Sequence, residues 1–409
     1  MSLRNLKTFD SLKAATFRMY FLGMVGQWAA LSMQTVVQGL LLYRLTGSTA
    51  LLGTMALATS IPQVLVALFI GVVVDRYPKK RLIQIGQVIA TAPAITIAIL
   101  LKTGYLSNAH PGSWWILIAA SSIQGMTSSL LWSARLSIIP ELVNKEKVAN
   151  ATALNTIGMN IFQMLSPAAG GFLIDKINFE AVFLTISGLY LISIFVTNFI
   201  PAGEVTSNRR GNVLADMIEG LKYVKDNTAL LWIIIFTLLC SMVVLPLSAM
   251  ISVYSDSILK VGATGLGLLQ GFKAAGSLMI VLWIASLATK KRSLIMLGTG
   301  LVLGLTQAVF AFSTSFQFSL TLMLFMGAGT MGQITVAMIL LQTNAEPAQR
   351  GRVLSIILIS AGLGGLMTFA SGFIAEAIGI QWTIGGMALI LAGATVLIFF
   401  MVPKLRKLE

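Results

Sequence analysis

Long apolar stretches recur along the whole chain, and each is long enough to cross a lipid bilayer as a helix. A spanning helix needs about 20 mostly apolar residues. Barrel strands would instead alternate polar and apolar residues, so helices are the expected spanning element. Twelve spans are predicted, at residues 17–43, 50–74, 82–101, 114–132, 148–174, 181–200, 230–254, 265–288, 294–312, 316–341, 353–377 and 382–401.

The composition agrees with a membrane protein and argues against other classes. Only 10% of the 409 residues are charged, whereas soluble proteins carry about 25%. The single cysteine, Cys240, excludes an intrachain disulfide. The single histidine, His110, leaves no histidine cluster for a zinc site or a catalytic triad. We therefore expect no enzyme, no bound metal and no cofactor.

The basic residues are distributed unevenly between the two sides of the predicted membrane protein. The net charge of +14 would point to nucleic acid in a soluble protein. Here 23 Lys and Arg residues lie in loops and tails on the side of both termini, against four on the other side. By the positive-inside rule both termini are cytoplasmic, which requires an even number of spans. The sequence thus predicts a multi-pass protein of the bacterial inner membrane, with the lipid bilayer as partner and no nucleic acid.

The longest connection divides the chain into two halves. Residues 1–200 form the predicted N-terminal six-helix bundle, residues 201–229 a linker, and residues 230–409 the C-terminal six-helix bundle. Apolar residues of the linker recur at helical spacing opposite charged ones, which predicts an amphipathic helix on the cytoplasmic face. We interpret this helix as a tether, with a regulatory or partner-binding role as the alternative.

Short matches between the halves indicate an internal duplication. The segment 171–175 starts with Gly-Phe and ends with an acidic residue, and both features recur at 372–376. The Gly-Ser-Thr sequence at 47–49, before the second span, likewise resembles Gly-Ala-Thr at 262–264, before the eighth. Such duplication is typical of carriers that rock two bundles about a central site.

A glycine, an Asp-Arg pair and a basic run mark the loop between the second and third spans. Residues 71–81 read Gly-Val-Val-Val-Asp-Arg-Tyr-Pro-Lys-Lys-Arg. The aspartate can pair with a cation or a helix N-terminus, and glycine permits close helix contact. The segment resembles the G-x-x-x-D-R-x-G-R-R signature of the major facilitator superfamily, with Pro78 in place of the second glycine; a generic positive-inside loop is the alternative. The predicted gating residues are Gly71, Asp75, Arg76, Lys79 and Lys80.

The fifth span carries a second motif. Residues 166–171 read Ser-Pro-Ala-Ala-Gly-Gly and resemble the G-P-x-x-G-G core found in exporters of this superfamily. The proline bends the helix, and the two glycines are predicted to let the halves approach each other on the periplasmic side. A purely structural kink is the alternative. The motif residues are Ser166, Pro167, Gly170 and Gly171.

Further segments resemble the bacterial branch of this superfamily that contains macrolide and enterobactin exporters. They include Tyr-Arg-Leu-Thr-Gly-Ser at 43–48 and Ile-Pro-Glu-Leu-Val at 139–143. The resemblance implies an all-α membrane protein with twelve transmembrane helices in two pseudo-symmetric six-helix bundles. It also implies a monomer that exports small amphipathic compounds, drug- or siderophore-like, in exchange for protons. Because the branch includes relatives that move lysophospholipids, a lysophospholipid flippase is the alternative. A non-transporting receptor would need a soluble domain, which the sequence does not offer.

Polar residues within the predicted spans mark candidate binding positions. Ionisable side chains are costly inside a bilayer, and Lys273 is the one clear example. It could attract an anionic substrate or respond to protonation; alternatively it snorkels outward or pairs with Asp256. Neutral amides could hydrogen-bond a substrate or, as the alternative, join neighbouring helices. The predicted substrate-binding residues are Gln27, Gln34, Gln38, Gln124, Asn155, Gln163, Lys273 and Gln333.

The residue that would carry protons is not obvious from the sequence. Antiporters of the superfamily often place an arginine in the fourth span, where this chain has Ser121. We expect the proton gradient to be the energy source, without a cofactor. The candidates for proton coupling are Asp75, Asp256 and Lys273, followed by Asp175 and Glu376.

Overall fold

The computed structural model describes residues 11–200, 222–286, 291–346 and 349–403, with the backbone alone at residues 71, 72, 75, 145, 350–352 and 354–361. These residues form twelve long helices and no strand. Most of the amphipathic helix predicted for the linker falls outside the described residues. The long helices are α1 (Ala15–Thr46), α2 (Thr49–Arg76), α3 (Lys79–Lys102), α4 (Trp115–Leu142), α5 (Val148–Lys176), α6 (Phe179–Thr197), α7 (Thr228–Val253), α8 (Gly262–Ser286), α9 (Arg292–Phe312), α10 (Phe316–Asn344), α11 (Arg350–Ile378) and α12 (Ile380–Met401).

Each predicted span corresponds to one of these helices, which confirms the all-α class. The helices continue beyond the apolar segments, most clearly in α4, where the predicted span stops at residue 132 and the helix ends at Leu142. Ala134, Ile138 and Ile139 are buried in this extension. Packing against neighbouring helices therefore stabilises helix where polar residues have ended the apolar run.

Nine helices of the described chain are long and apolar enough to cross a membrane by length and composition. Neither α1 nor α4 is among them, because each carries polar residues in its middle. The three glutamines of α1 and Ser121 of α4 are nevertheless buried inside the protein. Side chains that face other helices instead of lipid lower the apolar average without preventing insertion.

The helix contacts repeat with an offset of six helices. In the first bundle α1 packs on α5, α2 on α4, and α3 on α4 and α6. In the second bundle α7 packs on α11, α8 on α10, and α9 on α10 and α12. This repetition shows the two pseudo-symmetric six-helix bundles of the expected fold. The domain limits at residues 200 and 230 remain a prediction.

The two bundles meet along two pairs of helices, α2 with α11 and α5 with α8. A Cβ atom on Gly267 of α8 would lie 2.5 Å from the carbonyl oxygen of Pro167 in α5. A Cβ atom on Gly53 of α2 would lie 2.9 Å from the carbonyl oxygen of Thr368 in α11. Glycine therefore allows direct backbone contact along both seams, as small residues do in membrane helix pairs.

Within the second bundle, the α8–α10 contact provides a test of this packing. Gly276 of α8 faces the Leu324 carbonyl of α10 so closely that an added Cβ would clash with it. We expect Gly276→Ala to cost about 1–3 kcal/mol of folding stability through overpacking and to lower the melting temperature of the purified protein. Gly298→Ala is the control, because no atom lies within 4 Å of its added Cβ. Equal melting temperatures for the two variants would contradict the predicted contact.

Candidate functional site

Two adjoining cavities lie between the bundles, about midway along the helices. Their volumes are about 310 Å³ and about 290 Å³, near the lower end of the roughly 300–1,000 Å³ typical of small-molecule sites. Thr35 and Val36 of α1 and Gln270 of α8 line both cavities. Because both bundles contribute to the walls, any movement of one bundle against the other reshapes this space.

One face of α8 forms the cavity wall on the side of the second bundle. Gln270, Lys273, Ala274 and Ser277 line the first cavity and follow the i, i+3, i+4, i+7 spacing of a single helix face. An adjacent face packs on α10, where an added Cβ on Gly327 would clash with the Lys273 carbonyl. The backbone at Lys273 is therefore fixed against α10 while its side chain borders the cavity.

The ammonium group of Lys273 is held at the junction of the two cavities. Its Nζ donates a hydrogen bond to Oγ of Ser248 in α7 at 2.9 Å. Ser248 lines the second cavity, and its hydroxyl donates in turn to the Val244 carbonyl at 3.0 Å. The alternative pairing of Lys273 with Asp256 is wrong, because Asp256 is bonded to Arg44.

Two of the predicted amides accompany Lys273 at the cavity. Gln163 of α5 lines the first cavity with Lys273. Gln124 of α4 donates a hydrogen bond to Thr35 at 3.0 Å, and Thr35 lines both cavities. The structure thus brings Gln163 and Lys273 together from opposite bundles. Gln124 does not line either cavity itself and contacts the wall through Thr35.

The three glutamines of α1 lie inside the first bundle instead. Gln27 accepts a hydrogen bond from Gln87 of α3 at 3.0 Å. Gln34 accepts one from a tyrosine hydroxyl of α6 at 3.2 Å, and Gln38 donates to Ser121 of α4 at 2.8 Å. All three are buried and line neither cavity. Their placement favours the alternative that they join neighbouring helices.

The remaining two amides are likewise bonded within their own bundles. Asn155 of α5 accepts a hydrogen bond from the Tyr20 hydroxyl at 3.1 Å. Gln333 of α10 donates to Thr237 of α7 at 3.0 Å, beside a separate apolar cavity of the second bundle. From these positions they stabilise each bundle, and they do not border the space between the bundles.

The loop motif between α2 and α3 is anchored within the first bundle. Lys79 is buried and forms an ion pair with Glu141 at the end of α4, at 2.7 Å. Lys80 donates to the Asn198 carbonyl after α6, also at 2.7 Å. Arg76 ends α2 and is exposed. The side chain of Asp75 and the surroundings of Gly71 fall outside the described residues.

The four motif residues of α5 differ in what they contact. Pro167 lines the cavity, and Ser166 beside it is buried. Gly171 faces α8 of the other bundle, where an added Cβ would clash with the Ala263 carbonyl. Gly170 instead faces α1 of its own bundle, where an added Cβ would lie 2.7 Å from the Met33 side chain. The prediction that both glycines bring the halves together is therefore correct for Gly171 and wrong for Gly170, because successive helix residues point in different directions.

At one end of the molecule the bundles are joined by carboxylates that cap helices across the seam. We call this the closed end; α1, α5, α7 and α11 finish there, and α2 and α8 begin there. Asp175 of α5 accepts hydrogen bonds from the backbone amides of Ala263 and Thr264 at the start of α8, at 3.3 and 2.7 Å. The first N–H groups of a helix have no partner within the helix and attract negative charge, so each such contact is favourable.

The second capping contact is the pseudo-symmetric counterpart of the first. Glu376 of α11 accepts hydrogen bonds from the Ser48 hydroxyl and from the Ala50 amide at the start of α2, the latter at 3.2 Å. These are the segments in which sequence matching detected the duplication. The matches located the residues correctly, but they did not reveal that each acidic residue binds the other half's copy of the Gly-x-Thr segment.

An ion pair completes the closed end. The guanidinium of Arg44 at the end of α1 binds both carboxylate oxygens of Asp256, at 2.6 and 3.0 Å. The neighbouring Tyr43 and Ser257 hydroxyls are 2.6 Å apart. Asp256 lies in a π-helical turn, Tyr254–Ile258, that extends α7. No sequence signal predicted the pairing with Arg44, because the two residues are 212 positions apart.

The hydrogen bonds that join described residues of the two bundles lie at the closed end or next to it. Lys79 and Lys80 of the loop motif, at the opposite end, bond within the first bundle. Polar contacts therefore close the space between the bundles at the closed end. Such contacts break and re-form at low cost where water can replace them.

The chain is similar in sequence and in fold to known membrane transporters. The family model described as Major Facilitator Superfamily matches residues 19–310. The staphyloferrin A transporter of Staphylococcus aureus is 23% identical over 88% of this chain and 89% of its own. Macrolide efflux protein A of Streptococcus pyogenes is 22% identical over 94% of this chain and 96% of its own. The crystal structure of the nucleoside transporter NupG has a TM-score of 0.71 and 16% identity, covering 97% of this chain and all of that chain (100%). These proteins are membrane transporters and not enzymes, as the sequence predicts for this chain.

The capping contacts predict how the closed end responds to loss of charge. Asp175→Asn with Glu376→Gln removes both negative charges from the helix N-termini, so we expect the closed end to separate more often. Spin labels at Thr103→Cys and Gln317→Cys, two exposed positions at that end of opposite bundles, with Cys240→Ala as background, would then report a longer distance by double electron–electron resonance.

The matched control for this measurement is Glu180→Gln. Glu180 is another carboxylate at the closed end, and it has no hydrogen bond to the second bundle among the described residues. The control is expected to keep the parent distance distribution. An unchanged distribution in the double variant would show that the two capping contacts do not hold the bundles together.

Proposed function

This chain belongs to the Major Facilitator Superfamily, and from that premise we propose that it exports small amphipathic compounds across a bacterial inner membrane in exchange for protons. The observation that carries the proposal is the cavity between the bundles, which both halves line and which is shut at one end. A site with walls on two bundles can be exposed to each side in turn when the bundles rock.

The charge distribution supports an orientation of the protein in the membrane. The sequence carries 23 of its Lys and Arg residues on the side of the termini, which by the positive-inside rule is cytoplasmic. The closed end then faces outward, and the cavity loads from the cytoplasm or from the inner leaflet. Release requires the closed-end contacts to break and the opposite end to shut. We assign that second closure to the loop motif around Gly71, Asp75 and Arg76.

The direction of transport is supported by the relatives and by α5. Macrolide efflux protein A and the staphyloferrin A transporter each align with more than four fifths of the chain. The exporter-type motif of α5 contributes Pro167 to the cavity wall and Gly171 to the seam with α8. The motif of α5 thus extends from the cavity to the seam near the closed end, so a structural change at the cavity can alter the closed end, and the reverse also holds.

Proton coupling is proposed to act through the carboxylates of the closed end and through Lys273. Protonation of Asp256 would abolish its ion pair with Arg44, and protonation of Asp175 or Glu376 would remove the negative charge from a helix N-terminus. Each event weakens the closed end from the side on which protons are abundant. Proton entry from outside would thereby favour opening to the outside, as antiport requires.

Efflux from energised cells tests the proposal. Expression of the protein should lower the steady-state accumulation of at least one of two fluorescent amphipathic dyes, the cation ethidium or the anion dansylglycine, and a protonophore should restore it. Asp256→Asn should shift the population away from the state that loads inside and raise the half-saturating dye concentration by about fivefold, the equivalent of roughly 1 kcal/mol for a partly exposed ion pair. Initial efflux rates over a dye series measure this.

The Glu180→Gln variant again serves as the control and should retain the parent efflux kinetics. Accumulation that does not change on expression, for a panel of macrolide-like and siderophore-like compounds, would count against export. Efflux that persists in full after the gradient collapses would contradict the antiport part alone. In that case gradient-independent transfer of lysophospholipid between vesicle leaflets becomes the next measurement.

A further inference from the structure

The charges around the cavity identify the chemical class of its ligand. We propose that the cavity binds an amphipathic organic anion, and that Lys273 Nζ and its neighbouring amides receive the anionic group. The anionic group is a carboxylate, phosphate or sulfonate on an otherwise apolar body. This inference rests on the proposed function, since it specifies the compound that the proposed transporter carries.

The cavity wall carries an unbalanced positive charge. Lys273 is the one charged side chain among the described residues that line the two cavities. The other polar wall residues are neutral amides and hydroxyls, and no described carboxylate borders either space. A charged ammonium group without an opposite charge is expensive away from water, and a ligand of opposite charge removes that cost.

The ammonium group of Lys273 has more hydrogen-bond donors than the described residues use. An ammonium has three N–H donors, and one is directed to the Ser248 hydroxyl. The Ser248 proton is donated to the Val244 carbonyl, so the serine oxygen is oriented to accept from Lys273. The described residues supply no further acceptor to the ammonium. Two N–H groups therefore remain for a ligand, which suits an oxyanion with several acceptor oxygens.

The nearby carboxylates already have partners of their own. Asp256 binds Arg44, and Asp175 and Glu376 cap the helices of the opposite bundle. All three lie at the closed end, whereas Lys273 is eleven residues into α8 from that end. Pairing Lys273 with one of them would require a closed-end contact to be given up. The protein thus keeps its cation available at the cavity.

The remaining wall residues indicate the chemistry of the rest of the ligand. Gln163 of the first bundle and Gln270 of the second lie near Lys273 and offer amide donors to further oxygens. Beyond them the wall combines neutral hydroxyl groups with apolar side chains such as Leu31, Met55 and Leu245. A charged head with an apolar body matches this division, whereas a small inorganic anion would leave the apolar wall uncovered.

Binding to purified full-length protein tests this inference without a proton gradient. Dansylglycine carries a carboxylate, and dansylglycinamide has the same apolar body without charge. By equilibrium dialysis in detergent, the carboxylate should bind about tenfold more tightly than the amide, since hydrogen bonds to charged groups contribute about 1.5–3 kcal/mol. Lysophosphatidylglycerol and monoacylglycerol form a second pair, which tests whether the anionic head belongs to a lipid.

Variants assign the preference to Lys273. In Lys273→Gln the carboxylate and the amide should bind equally, and Lys273→Arg should retain a preference for the carboxylate. Lys102→Gln removes one positive charge from an exposed helix end and should leave the preference unchanged. Ser248→Ala should also retain the preference, because the ammonium that binds the anion is still present. Size-exclusion profiles and melting temperatures verify that each variant is folded.

Equal affinity for the charged and neutral members of both pairs, or no binding by any of the four probes, would overturn the inference. A preference that survives in folded Lys273→Gln would overturn the role of Lys273. These outcomes are separate from those for the proposed function. Anion binding without gradient-dependent efflux would refute antiport and leave the ligand class intact. Gradient-dependent efflux of cationic dyes without anion binding would support antiport and refute the ligand class.

Discussion

The N-termini of α2 and α8 present backbone N–H groups that have no partner within their own helices. Each receives a carboxylate from the other bundle, Glu376 in one case and Asp175 in the other. Helix N-termini attract negative charge, and these contacts close one end of the space between the bundles. They are polar and lie near the surface, and water can take the place of either carboxylate. The same interaction thus closes the seam and allows it to open.

The seams bring the backbones into contact along α2–α11 and α5–α8, and glycine makes this possible at each level. Gly267 lies against Pro167, and Gly53 lies against Thr368. A side chain at either glycine would separate the bundles and weaken the capping contacts at the closed end. Packing and electrostatics therefore depend on each other, because the carboxylates reach the opposite helices only when the backbones touch.

Most buried polar side chains lie inside the bundles, whereas Lys273 borders the cavity between them, and this distribution determines the charge of the cavity. Most predicted amides are bonded inside a bundle, where unsatisfied amide groups would be costly. Lys273 borders the cavity with a hydroxyl partner and without a counter-charge. The hydrogen bonds of the amides join the helices of each bundle to one another, so each bundle can move as a unit. The charge of Lys273, which no described carboxylate neutralises, lies where a ligand can reach it.

The sequence by itself determined the twelve helices, the two bundles and the family, because apolar length and the signatures at 71–81 and 166–171 are local properties. It also identified Lys273 through the rarity of charge within a span. It misjudged Gly170 and left open whether the glutamines of α1 bind substrate or join helices, since the periodicity of a helix does not show which neighbour each face meets. The pairing of Arg44 with Asp256 and the crossed capping by Asp175 and Glu376 were decided by the tertiary structure alone. They link residues from opposite halves of the chain, and only the packing of one bundle against the other brings these residues within hydrogen-bonding distance.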